Sequence, residues 1–293
     1  MIRHSGWRVD RGAPLPETEG SCADVLLWKD PATDLGIYRV GAPNEGIYRL
    51  NFGRDLAVDV SPDGRIITRA AASIPQVTVD HFLADQVFPR LFAHRGDLVV
   101  HSGAIRTGRT ALMVMGQSGR GKSTLTSSFD QAGFGLLGDD AMVMSSVDTG
   151  PRVRPVYPSL RLFPDSIEAL MPGAETAGRV AHYSTKERIE VPIAAESDDW
   201  PLPVDAIFLI AAPAKDDEIS VRRLTRAETC MALVENSFAL DPANVTLARG
   251  RLEQASAFAR NVPGYEITYP RDYARLPEVR QVILDQAAAM EPA

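Results

Sequence analysis

Hydrophobic positions change their period twice along this chain. Between residues 26 and 70 they come in short runs, at 26–28, 36–40, 46–52, 56–60 and 65–68, each closed by glycine, proline or charged residues. Runs of this length, rich in Ile, Val, Leu and Tyr, predict antiparallel strands. Ser61-Pro62-Asp63-Gly64 joins the last two as a hairpin, because proline presets φ and glycine accepts a positive φ. Trp28, Tyr38, Tyr48 and Phe52 are expected to fill the small β core. Residues 1 to 25 are polar and broken by Gly12, Pro14, Pro16 and Gly20, and predict irregular chain.

From 77 to 95 the spacing lengthens. Val79, Phe82, Leu83, Val87, Leu91 and Phe92 recur at helical intervals, with Asp80 as the expected N-cap and Pro89 as the expected interruption. Beyond 96, strands and helices alternate. Strands are expected at 97–105, 111–115, 204–210, 219–224 and 265–269, the run at 204–210 being apolar enough for a sheet centre. Thr107-Gly108-Arg109-Thr110 reads as a tight turn. Two more strand-like runs flank an acidic pair near 139, and 166–170 predicts a short helix. Residues 173–181, rich in small side chains, predict a mobile loop. Thr225 and Glu228 form a capping box opening a helix to about 237. A second helix is expected at 243–260 with Val245, Ala248, Leu252, Ala255 and Ala259 on one face. Pro277 opens the last helix. The chain therefore divides into a β-rich part at 1–76, a connecting helix at 77–95 and an α/β part at 96–293.

Composition adds exclusions. With 293 residues, 45% hydrophobic and 24% charged, the chain has enough apolar material for a sizeable core. A net charge of −7 argues against a general nucleic-acid binder. Cys22 and Cys230 make neither a disulfide framework nor a zinc site, and are expected as buried thiols. No apolar run is long enough for a membrane span, and the first residues lack the apolar core of a signal peptide, so the cytoplasm is the expected compartment.

The chemistry concentrates in Gly116-Gln117-Ser118-Gly119-Arg120-Gly121-Lys122-Ser123. This G-x-x-x-x-G-K-S string follows the apolar run 111–115 and precedes a helix-competent stretch, the setting a phosphate-binding P-loop requires. Its glycines let successive N–H groups converge on an anion, and the helix N-terminus adds partial positive charge. Gly116, Ser118, Gly119, Arg120, Gly121, Lys122, Ser123 and Thr124 are the expected ATP contacts. Lys122 is placed to reach the β- and γ-phosphates and the Ser123 hydroxyl to ligate Mg²⁺. The loop does not name what receives a phosphoryl group.

Asp139 and Asp140 follow. Adjacent carboxylates repel unless a cation sits beside them, and a Mg²⁺–ATP site supplies one. One can hold the metal, Asp140 being assigned to it with Ser123. The other can accept the proton of an attacking hydroxyl. Between 152 and 188 the basic residues Arg152, Arg154, Arg161, Arg179, Lys186 and Arg188 outnumber the acids. Arg161, Lys186 and Arg188 are the candidates for binding a phosphate or an anionic substrate. His101, alone at the end of its strand, reads as a satisfied structural residue.

Taken in order, His101-Ser102-Gly103-Ala104, the P-loop and Gly138-Asp139-Asp140 resemble the bacterial HPr kinase/phosphorylase family over residues 96 to 215. The resemblance implies a fold related to phosphoenolpyruvate carboxykinases, built on a mixed sheet. It implies that Asp139 or Asp140 acts as base with His101 beside it, which makes His101 a site residue. The N-terminal β region and the helix at 77–95 depart from the regulator enzymes, as does the absence of their C-terminal loop linked to phosphorylase action. The chain is more similar to the shorter HPr-kinase-like proteins found with lasso-peptide biosynthesis. There residues 80–96, His101, the P-loop and Asp139-Asp140 have counterparts, as do Tyr157-Pro158-Ser159-Leu160-Arg161-Leu162 and the Lys186/Arg188 pair. That likeness implies a serine kinase acting on the C-terminal serine of a precursor peptide. An HPr-like carrier as acceptor, and a non-catalytic ATP-binding regulatory module, are the alternatives. Because the related regulators assemble, a homo-oligomer is a further expectation of the likeness.

Overall fold

The computed structural model describes residues 7–13, 24–31, 33–41, 46–147, 150–157, 159–189, 201–213 and 217–289, so Cys22 and Pro158 lie outside the described residues. Cys230 is a half-buried free thiol. Packing groups the chain into two compact units. One comprises residues 1–95, 180–184 and 239–248; the other comprises 96–179, 185–238 and 249–293.

The first unit is built on a six-stranded sheet. β1 (Arg8–Arg11), β2 (Val25–Lys29), β3 (Leu35–Val40), β4 (Ile47–Phe52), β5 (Leu56–Val60) and β6 (Arg65–Ala70) lie in the order β1-β6-β5-β4-β3-β2. Neighbours are antiparallel except β1, which runs parallel to β6 from Arg8 opposite Arg65. The polar N-terminal stretch thus contains a strand where irregular chain was expected. Its residues carry no alternating apolar pattern to announce it, and Val9 stays exposed. The β5–β6 turn forms as expected, with Gly64 at φ 83° and its N–H donating to the Ser61 carbonyl. Tyr48 is buried, and Phe52 packs on Phe82, with ring centroids 5.9 Å apart.

The helical stretch is one run of three pieces: α1 (Gln76–Phe82), a π-helical turn over Leu83–Val87, and α2 (Phe88–His94). Asp80 does not cap it. Pro75 precedes the first turn, and Asp80 lies inside α1, accepting from the Gln76 amide at 2.8 Å. Pro89 sits in the first turn of α2, where its missing N–H costs little, and the widened π turn before it absorbs the break.

The second unit has helices on both faces of a nine-stranded mixed sheet. Its strands are β7 (Leu98–Val100), β8 (Ser102–Thr107), β9 (Thr110–Met115), β10 (Gly135–Gly138), β11 (Met142–Val147), β12 (Gly150–Pro155), β16 (Leu202–Ile210), β17 (Ser220–Arg223) and β18 (Gly264–Thr268). The path runs β10-β8-β9-β16-β12-β11-β7, and the sheet forks at β16. The start of β16 pairs with β12, while its end pairs with β18, which carries β17. β9 shows why both faces are covered. Leu112 and Val114 point to a cluster with Leu125 and Phe129 of α3 (Lys122–Gln131) and Val279 and Ile283 of α7 (Leu276–Ala288). Ala111, Met113 and Met115 point the other way, to Ala232 and Leu233 of α5 (Arg226–Glu235) and Ala255 and Phe258 of α6 (Val245–Asn261).

The buried side of α6 matches the expected face only at its C-terminal end. Val245 is 79% exposed and Leu252 48%, whereas Phe258 is buried with Ala255 and Ala259. A third, three-stranded sheet has β13 (Leu160–Leu162) and β14 (Thr176–Arg179) on either side of β15 (Glu187–Ile189). β14 falls where a mobile loop was expected, so part of that small-residue stretch is strand.

Candidate active site

The glycine loop leaves β9 at Met115 and enters α3 at Lys122. Gly116 takes φ 147°, Gly119 75° and Gly121 97°, all in the region side chains avoid. At Gly116 a Cβ would also stand 3.0 Å from the Ile210 carbonyl oxygen, so only glycine lets β9 pass the end of β16 there. Gly121 is the N-cap of α3 and offers no side-chain cap, which leaves the first N–H groups of the helix for another acceptor. Lys122 is 6% exposed, and its Nζ donates to the carbonyls of Gly116 at 2.7 Å and Gln117 at 3.3 Å. Ser118 and Gly119 are exposed, Arg120, Ser123 and Thr124 half-buried. Thr124 Oγ1 lies 3.5 Å from Ser166 Oγ.

Sheet register brings the other two motifs alongside. β7 and β8 are one strand bent at His101; β10 and β11 are another, bent at Asp139-Asp140. The pairings Ala104 with Gly138 and Val100 with Met142 keep a single register across both bends. Ser102 therefore stands opposite Asp140, and its N–H donates to the Asp140 carbonyl at 3.3 Å. On its other side Ser102 pairs with Met115. Met115, Ser102 and Asp140 thus lie in a row across three strands, about 10 Å from end to end at two strand spacings. That distance suits a triphosphate held at one end and an acceptor hydroxyl at the other. The Ser102 side chain is buried inside this row, its hydroxyl near the carbonyls of Gly103 and Val114.

His101 precedes Ser102 at the bend and lies outside this row. Its N–H donates to the Asn236 carbonyl at 2.7 Å, and its ring meets Phe238 edge-on with centroids 6.0 Å apart. The two acids are held differently. Asp139 is 1% exposed; its Oδ1 accepts from Ser159 Oγ at 3.1 Å and its Oδ2 from the Arg161 N–H at 2.9 Å. Asp140 is ion-paired through Oδ2 with the Arg161 guanidinium, which also bonds the Tyr157 hydroxyl and is itself 4% exposed. The cation that adjacent carboxylates need is therefore present in the protein itself: Arg161 neutralises Asp140. Arg188 lies opposite Arg161 in the three-stranded sheet, and Lys186 sits over the Phe163 ring.

Other neighbours were not marked in the sequence. Arg271 donates to the Gly119 carbonyl at 2.7 Å, and the Tyr269 hydroxyl comes against Gly121. Burial pushes the Tyr269 phenol well above its ordinary value, so it stays protonated beside the loop. Both residues follow β18, and only the fork at β16 reveals that this strand ends at the glycine loop. The surface depression lined by Lys29, Asp30, Pro31, Thr33 and Asp34 belongs to the first unit and holds none of these groups.

ATP and Mg²⁺ fit the residues present. Among the described residues no group of three or more His, Cys, Asp and Glu is arranged to hold a metal. Mg²⁺ bound to a nucleotide needs no such cage, because one or two protein oxygens and the phosphates suffice. The Ser123 hydroxyl supplies one such donor and the uncapped start of α3 supplies N–H groups for phosphate, whereas Asp140, the other expected metal ligand, is ion-paired with Arg161. Among the described residues no helix is long and apolar enough to cross a membrane.

No family model matches the sequence, and no curated protein matches it. Among solved structures, the Hpr(Ser) kinase/phosphatase from Coxiella burnetii is similar at 11% identity and a TM-score of 0.31, over 64% of this chain and 97% of that one.

Proposed function

We propose that this protein is an ATP-dependent serine kinase whose acceptor is a peptide, the C-terminal serine of a lasso-peptide precursor being the substrate that the sequence resemblance favours. The observation that carries the kinase reading is the row Met115–Ser102–Asp140, which sets a glycine loop and a buried acid pair at two ends of one triphosphate length.

In this reading the loop N–H groups and Lys122 bind the β- and γ-phosphates. Ser123 would hold Mg²⁺, with Asp140 joining it where the metal takes the place of Arg161, and the ion would neutralise phosphate charge. Asp139, oriented by Ser159 and the Arg161 N–H, takes the proton of the acceptor hydroxyl. The hydroxyl oxygen bonds to the γ-phosphorus, the bond to the bridging oxygen breaks, and ADP departs with the electron pair. His101, next to Ser102 at the bend, is given to the acceptor's side by the sequence resemblance alone.

Incubation with Mg-ATP and a precursor peptide is expected to add the mass of one or more phosphoryl groups, located at the terminal serine by fragmentation. Asp139→Asn and Asp140→Asn, made separately, should each lower the rate at least a hundredfold. If both variants keep wild-type transfer, the acid pair is not catalytic. Transfer to an HPr-like protein and to no peptide would move the acceptor class while keeping the reaction.

A further inference from the structure

Arg161 and Arg188 are direct partners across the antiparallel pair β13–β15. Cross-strand partners share a face of the sheet. The flanking residues Leu160, Leu162 and Ile189 join the apolar cluster around Leu136, so the two arginines occupy the opposite face. One step further along that face come Phe163 and Lys186, with the ammonium 5.2 Å from the ring centroid and Phe163 45% exposed. Like charges placed directly opposite destabilise a strand pair. Arg161 is compensated by Asp140. Arg188 is half-buried and makes no hydrogen bond or ion pair with any described residue. A cation facing a cation, one strand away from the acid pair, is a place for an anion from outside.

We propose that Arg188 receives a carboxylate of the acceptor, with Lys186 and Phe163 taking the residues beside it. The proposal rests on the kinase reading for the identity of the acceptor. A nucleotide phosphate is the poorer occupant. β13 packs against α3, whereas β15 lies one strand further out, so Arg161 stands between Arg188 and the glycine loop. The span also selects among carboxylates. An α-carboxylate carbon lies three bonds from the hydroxyl oxygen of its own serine, and paired strands are about 5 Å apart. A chain-terminal serine therefore offers its hydroxyl to the acid pair and its carboxylate to Arg188 at once, which an internal serine does not.

The test needs neither ATP nor turnover. N-acetylphosphoserine, the terminal residue of the product, is titrated into the full chain as the free acid and as the methylamide, with inorganic phosphate as control, and binding is read from ³¹P line broadening. The free acid should bind about tenfold tighter than the amide, a difference of about 1.4 kcal/mol. Arg188→Gln should abolish that preference with the thermal midpoint unchanged, and Arg188→Lys should retain part of it. Equal affinity for acid and amide, no binding of either, or a preference that survives in Arg188→Gln overturns the proposal. So does a loss of ATP binding in Arg188→Gln, which would assign the residue to the donor. Acid preference without any peptide phosphorylation would leave this carboxylate site standing and remove the kinase reading.

Discussion

Lys122 shows what a single side chain reveals about the site. Its ammonium is buried against two carbonyls of its own loop, so it helps to hold the loop in shape. Lys122→Ala removes the internal tether and, in the proposed reading, the phosphate contact. It is expected to lower phosphoryl transfer at least a hundredfold, and calorimetry should show weakened ATP binding with the thermal midpoint little changed. Residues of this kind were legible in the sequence, since the loop's chemistry lies in eight consecutive positions. Asp139-Asp140 was legible as an acid pair. That Arg161 is its cation was not, because a bond between positions 140 and 161 exists only once β13 has folded alongside the bend. Ser159, which fixes Asp139, has nothing local in the sequence to mark it.

Elements were read best where a terminus carries its own chemistry. The box at α5 forms as expected: Glu228 N–H donates to Thr225 Oγ1 at 3.2 Å, and Thr225 N–H to Glu228 Oε2 at 2.7 Å. Thr225→Ala should cost about 1 kcal/mol in thermal melts. The Thr225 N–H, with Arg222 and the Thr225 hydroxyl, holds the Glu228 carboxyl down to about 2. Its folded value lies below the unfolded one of about 4.3, so its contribution is complete above that pH and is lost as pH falls toward 2. Melts of wild type and Glu228→Gln should therefore converge between pH 4 and pH 2. A gap that stays constant through that window would show that the charge is irrelevant to the cap. Apolar spacing misjudged α6, where Phe258 rather than Leu252 meets the sheet, because periodicity identifies a stripe without saying which neighbour covers it. Gly264 marks another tight place: a Cβ there would stand 2.3 Å from Thr229 Oγ1. Gly264→Ala should cost about 1–3 kcal/mol, and Thr229→Ser should not relieve it, since the hydroxyl itself clashes.

Across the whole molecule, nothing in the residue pattern signals that late segments complete the first unit. Asp241, 3% exposed, accepts from Arg39 at 2.8 Å and from the Tyr48 hydroxyl at 3.0 Å. Thr78 bonds the His182 ring at 3.0 Å. Neither partner is near its mate in the chain, so no window of residues foretells the contact. Asp241→Ala should destabilise the protein by about 2 kcal/mol, at the low end for a buried pair because Arg39 remains a third exposed. Chemical denaturation gives the value, and an effect under half that size would mean that water replaces the carboxylate.

The same placement of Asp241 bears on how the protein is made. Synthesis runs from the N-terminus, and domains ordinarily fold as they emerge. Here the β-rich strands are made before the glycine loop, yet their unit lacks residues 239–248 until the acid pair too has been translated. Its Arg39 and Tyr48 wait through the whole birth of the glycine loop and acid pair, so this unit is completed only after the segments that follow its strands have been made.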